Sequence, residues 1–118
     1  MSGLAFSKKF RLLASKEFLY LRTKGKRIQE KFLRGYFCDS NSERTRIGIS
    51  VSRKVGGAIR RNRVKRILRE YFRKSSYRYR GKDLMIIVSP KLFSFYKKQK
   101  EAEVALLDSF RPLLNKMG

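Results

Sequence analysis

A chain of 118 residues in which 31 Lys and Arg face 9 Asp and Glu carries a formal net charge of +22, which leaves room for one core only and excludes any role built on a neutral or acidic surface. It has no histidine and one cysteine, which removes imidazole acid–base chemistry, an internal disulfide and a cysteine zinc cluster. The apolar fraction of 42% is ordinary for a folded domain, so the cations belong to a globular protein whose partner is a polyanion: RNA, DNA or an anionic membrane surface.

The membrane is the weakest of these partners and is not expected. No apolar run approaches the ~18 residues of a spanning helix, and residues 1–14 lack the continuous apolar stretch of an export signal. The chain therefore reads as cytoplasmic, and Cys38 as a small half-buried strand residue. The carboxylates Glu17, Glu30, Asp39, Glu43, Glu70, Asp83, Glu101, Glu103 and Asp108 are scattered. None forms the acidic cluster of a two-metal nuclease. No catalytic or metal-ligating residue is expected on the protein, and any bond-breaking on RNA belongs to another component.

In chain order, residues 1–14 form a basic, semi-apolar arm. Ser15 suits the cap of a short helix reaching about Lys24, with Glu17 in its positive first turn and Gly25 as its stop. Phe18 and Leu21 share a face of it. Arg27 to Asp39 reads as one strand by its alternation. Leu33, Gly35 and Phe37 point one way, and Phe32, Arg34, Tyr36 and Cys38 the other. The second set mixes rings with a guanidinium, as single-stranded nucleic-acid sites do. It equally suits aromatics beneath a covering helix, and the pattern leaves both readings open. After the polar loop 40–44, Arg46 to Ser52 reads as a second strand. Ile47, Ile49 and Val51 are its apolar side. Arg46, Gly48, Ser50 and Ser52 make a flat side that a hairpin would set beside Phe32 and Tyr36.

Gly56-Gly57 turns the chain into a helix that runs to about Lys74 and dominates the sequence. Val64, Ile67, Leu68, Tyr71 and Phe72 follow the i, i+3, i+4, i+7, i+8 spacing of a buried stripe. Asn62, Lys65, Arg66, Arg69 and Arg73 gather opposite. Exposed helices ordinarily interleave charge signs, but here Arg60, Arg61, Arg63, Lys65, Arg66, Arg69, Arg73 and Lys74 are offset by Glu70 alone. A nucleic-acid backbone relieves such crowding with a gain from released counterions. The Gly-containing turn suits phosphate at a helix start, but it is not a nucleotide P-loop.

The segment Ser75 to Lys82 is a loop rich in Arg and Tyr; its residue types suit RNA contact, but it reads first as an exposed connector. Leu84 to Val88 is an unbroken apolar run, a strand buried on both faces, and Pro90 ends it. A last helix spans roughly Tyr96 to Phe110, with Pro112 as its terminator. The order helix, strand, strand, helix, strand, helix defines an α+β class, a small mixed sheet packed with helices in one domain over 1–118.

The run Arg61-Asn62-Arg63-Val64-Lys65-Arg66-Ile67-Leu68-Arg69 resembles the Arg-Asn-Arg signature of the bacterial ribonuclease P protein component. Ile47-Gly48-Ile49-Ser50-Val51-Ser52-Arg53-Lys54-Val55-Gly56 resembles that family's strand-and-turn lead-in. The resemblance implies a left-handed β-α-β crossover around the basic helix, against the usual right-handed preference. It implies that Phe10 to Leu13 pack down before the first helix. It also implies a catalytic RNA partner that, with Mg²⁺ bound mainly by the RNA, removes the 5′ leader of precursor tRNA. The protein would raise substrate affinity and support function at low Mg²⁺.

As the resemblance implies, Lys54, Arg61, Asn62, Arg63, Lys65, Arg66 and Arg69 bind the RNA subunit. A cleft between the first helix and the sheet holds the leader, with Phe18, Phe32 and Tyr36 as platforms and Arg22, Arg46 and Ser50 around them. The family usually has a second aromatic one turn after Phe18; this chain has Arg22 there, a phosphate contact or a planar stacking surface. One alternative is a ribosomal or other structural RNA-binding protein, which needs no leader cleft. Another is a DNA-binding domain, against which the strand-rich remainder argues.

Overall fold

The computed structural model describes residues 15–117; the packing expected for Phe10 to Leu13 lies outside them. The elements are α1 (Ser15–Lys24), β1 (Lys26–Glu30), β2 (Leu33–Asp39), β3 (Arg46–Val51), α2 (Ala58–Lys74), β4 (Lys82–Val88), α3 (Lys91–Phe95) and α4 (Gln99–Met117), with 3₁₀ turns at Arg53–Val55 and Ser76–Tyr79. The strands form one mixed sheet in the order β1-β2-β4-β3. β2 pairs antiparallel with both β1 and β4, while β3 and β4 are parallel neighbours. The α+β class is as expected, and α2 is the crossover between the parallel pair. Among the described residues no helix is long and apolar enough to cross a membrane.

Two strand expectations are corrected. Arg27 to Asp39 is not one strand: it folds back at Lys31-Phe32, where Glu30 stands opposite Leu33. Among the described residues only glycines have positive φ, so this two-residue turn carries none of the Asn-Gly signal by which such turns are read. The hairpin expected between the next two strands is also absent, because β4 lies between β2 and β3. The most apolar strand takes one of the two inner positions, with Leu84, Met85, Ile86 and Val88 buried, where both of its faces are covered. Gly35 makes the sheet fit locally: a Cβ there would stand 3.0 Å from Ile28 Cγ1 and 3.3 Å from Leu84 Cδ1.

One face of the sheet carries the main core. Leu33, Phe37, Ile47, Ile49, Leu84 and Ile86 meet Val64, Leu68 and Phe72 of α2 and Leu106, Phe110 and Leu113 of α4. The α2 stripe is the one its spacing describes: Val64, Leu68 and Phe72 are buried, Ile67 and Tyr71 half-buried. The other face carries a smaller cluster, in which Leu21 of α1 meets Met85 with Phe18, Tyr36, Cys38 and Ile87 around them.

α4 corrects the expected helix end. It runs to Met117 with Pro112 inside it. An interior proline costs about 3 kcal/mol, but the helix beyond it buries Leu113, Leu114 and Met117, at roughly 1.5–3 kcal/mol each. Lys116 then fastens the helix end to β1, donating to Gln29 O at 2.7 Å and pairing with Glu30.

Candidate nucleic-acid interface

The lead-in to α2 is built from small residues. After β3 the 3₁₀ turn buries Val55. Gly56 follows at φ +153, where a Cβ would meet Arg60 Cδ at 2.7 Å. Gly57 stands at the N-cap and offers no side-chain acceptor, and Arg60, Arg61 and Arg63 crowd the positive end of the helix dipole. Lys54, Asn62, Arg63 and Arg66 are exposed, while Arg61, Lys65 and Arg69 are half-buried. All seven predicted RNA-subunit contacts therefore stand on α2 or on the turn that feeds it.

Several of these cations are held in place by the fold. Arg63 Nη2 lies 3.2 Å from Glu103 Oε1 on α4, and Arg63 Nε donates to the other carboxylate oxygen. Gln99 Nε2 donates to Glu103 at 2.7 Å. The hydrogen bond from Arg63, opposed by burial and helped by Gln99, holds the Glu103 carboxyl below the usual carboxylate range. Glu70 is thus not the sole offset to the basic helix, as the sequence suggests; α4 supplies a second. Arg66 Nε reaches Glu70 at 3.1 Å, and the Arg60 guanidinium lies 4.4 Å over the Phe93 ring. Among the described residues Arg61 Nε is buried without an acceptor.

The second predicted surface lies on the opposite face of the sheet, beneath α1. Register places Arg27, Tyr36, Met85 and Gly48 in one row across the strands, and Gln29, Arg34, Ile87 and Ser50 in the next. Leu21 and Met85 are 1% and 2% exposed, so the cluster has a closed centre. Phe18 and Tyr36 are half-buried at its rim, Ser50 is exposed towards the β3 edge, and Arg22 is exposed on α1. The two readings left open for Tyr36 meet here, since one ring serves both core and open rim.

Two members of the predicted leader set stand apart. Phe32 lies in the β1–β2 turn, its ring 6.0 Å from Phe95 and 5.7 Å from Tyr96, packed on the main core. The turn breaks the alternation that would have set it beside Tyr36. Arg46 joins Glu17 of α1 at 2.9 Å and Asp83 of β4 at 3.0 and 2.9 Å. Its first duty is to clamp α1 to the sheet, and the Asp83 hydrogen bonds above all raise its proton affinity. Conversely, Arg27 and Arg34 join Tyr36 on this face. Arg34 was visible in the strand alternation; Arg27 was hidden by the missed hairpin.

Fold and surface together define a class: a small basic α+β domain with a cationic helix on one side of a mixed sheet and an aromatic rim on the other. The ribonuclease P family model matches residues 6–112. Ribonuclease P protein components of Desulforapulum autotrophicum and Clostridium botulinum (strain Loch Maree / Type A3) are each 34% identical to the chain; the alignments cover 91% and 94% of it and 92% and 96% of those proteins. The solved RNase P protein from Thermotoga maritima has a TM-score of 0.79 at 30% identity, covering 90% of this chain and 96% of that one. That from Staphylococcus aureus has a TM-score of 0.73 at 26% identity, covering 92% and 94%. The chain belongs to the bacterial ribonuclease P protein family, the protein subunits of an endoribonuclease complex of tRNA processing. Membership implies an RNA partner in a ribonucleoprotein.

Proposed function

We propose that the chain binds a catalytic ribonuclease P RNA through α2 and its lead-in, and holds the single-stranded 5′ leader of precursor tRNA on the α1 face. The observation that carries this reading is the α2 surface, where cations far outnumber Glu70 and Glu103. A ribozyme backbone supplies the missing anions. Phe18 and Tyr36 offer ring faces to leader bases, with Arg22, Arg34 and Ser50 beside them.

In this reading hydrolysis belongs to the RNA, with Mg²⁺ bound mainly by it. Among the described residues no three His, Cys, Asp or Glu side chains are grouped so as to hold a metal ion. The protein raises substrate affinity and lowers the Mg²⁺ requirement by neutralising phosphates, in the cytoplasm, where tRNA precursors are made. Reconstitution with a ribonuclease P RNA and precursor tRNA at low Mg²⁺ tests this. Faster leader removal on adding protein is expected, and purified protein alone should leave the precursor intact. RNA binding with no gain in leader removal would instead mark a structural RNA-binding protein.

A further inference from the structure

The segment between α2 and β4 belongs to neither surface described above. It alternates Tyr77, Arg78, Tyr79 and Arg80. It reads as an exposed connector, yet its backbone is hydrogen-bonded at Arg78, Arg80, Gly81 and Lys82. Thr45 is fully buried, and its Oγ1 accepts from Arg80 N–H at 3.0 Å and Lys82 N–H at 3.3 Å. Thr45 N–H donates to Arg78 O at 2.8 Å. Gly81, at φ +67, donates to Glu43 O at 3.0 Å and accepts from Ser40 N–H at 2.8 Å. Tyr77 O–H donates to Asn115 of α4. Arg78 Nη1 donates to Arg73 O at 2.7 Å, at the negative end of the α2 dipole.

On this frame the side chains are ordered as stacks. The Arg80 guanidinium lies 4.9 Å over the Tyr77 ring, and that of Arg78 lies 5.2 Å over Tyr79. Tyr79 is 57% exposed, and Lys74, Arg80 and Arg44 are exposed on the adjoining chain. A partly exposed ring among guanidiniums on a pre-ordered backbone is the combination that stacks a nucleobase and neutralises its flanking phosphates. An acidic protein surface would use the cations but not the ring. The loop joins the end of α2 to the end of the sheet where Arg46 stands opposite Asp83.

We propose that this loop is a further RNA contact, in which an unpaired base stacks on the exposed part of the Tyr79 ring, which Arg78 holds in place, while Arg80 and Arg44 meet the adjacent phosphates. The proposal rests on the ribonucleoprotein reading and adds a third surface to it. The probes are a labelled oligouridylate and a ribonuclease P RNA transcript, titrated with the full chain. Tyr79→Ala should bind oligouridylate about 5-fold or more weakly, while Tyr79→Phe should bind as the parent does. Arg44→Ala should reduce the salt slope by about 0.7 log unit, the share of one single-strand phosphate. A 4-thiouridine oligonucleotide irradiated with the unaltered chain should cross-link to the peptide containing Tyr79, a readout independent of any variant's folding. A cross-link confined to other peptides, or equal affinity of the parent and a folded Tyr79→Ala for both RNAs, overturns the proposal and leaves the loop to an acidic protein. The α2 variant Arg66→Ala/Arg69→Ala should still weaken transcript binding in that event, so failure here is distinct from failure of the ribonucleoprotein reading.

Discussion

Arg63 of α2 and Glu103 of α4 form a two-pronged pair, Nη2 to Oε1 at 3.2 Å with Nε on the second oxygen. The second arginine of the Arg-Asn-Arg run is therefore oriented by another helix before any RNA arrives. The pair also joins the two helices that cover the main core.

Acid should dissolve that link. A carboxyl whose folded pKa lies below its unfolded value, about 4.3 for Glu, contributes stability above the unfolded value and loses it as pH falls through the folded one. Glu103 is held low by Arg63 first. Glu103→Gln should thus melt below the parent at neutral pH, and the gap should narrow as pH falls below about 4. Melting curves across that range check it; a gap that widens in acid would contradict the assignment.

Arg46 is expected to behave as a clamp. Its side chain is 35% exposed, so solvent screening reduces what the Glu17 and Asp83 contacts contribute. Arg46→Ala should lose about 1–2 kcal/mol in urea unfolding and leave the salt slope of RNA binding unchanged. A loss of slope without a loss of stability would return Arg46 to the leader contacts.

The α2 face should show its phosphates in salt titrations. Arg66→Ala with Arg69→Ala should flatten log K against log salt by about 0.7–0.9 for each phosphate no longer neutralised. An unaltered slope would mean that this face meets no phosphate.

The aromatic residues should separate by position. Phe18→Ala and Tyr36→Ala should each weaken precursor binding by about 1–3 kcal/mol if a base stacks there, with mature tRNA little affected. Phe32→Ala should cost stability, about half of the ~3–5 kcal/mol of a fully buried phenylalanine, and leave the precursor–mature difference intact. Binding assays with both tRNAs distinguish the two behaviours.

Thr45→Val keeps the shape of a buried side chain and deletes the acceptor for two backbone N–H groups. Chemical denaturation should show a loss of about 1–3 kcal/mol. A neutral result would mean that the loop finds other acceptors.

What could be read directly from the residues was local. Val64, Leu68 and Phe72 declare a buried stripe because helical neighbours lie three and four positions apart, and Asn62, Lys65, Arg66 and Arg69 fall opposite for the same reason. Leu33, Gly35 and Phe37 declare their face through the two-residue period of a strand. What could not be read was partnership. Arg63 meets Glu103 across 40 positions, and Arg46 meets Asp83 across 37. Periodicity says which face is apolar, but it is silent on which distant carboxylate lies beneath a guanidinium. The turn at Lys31-Phe32 and the helix that continues through Pro112 were hidden similarly: each is a locally unmarked or unfavourable choice, stabilised by the surfaces that assembly of the whole chain buries.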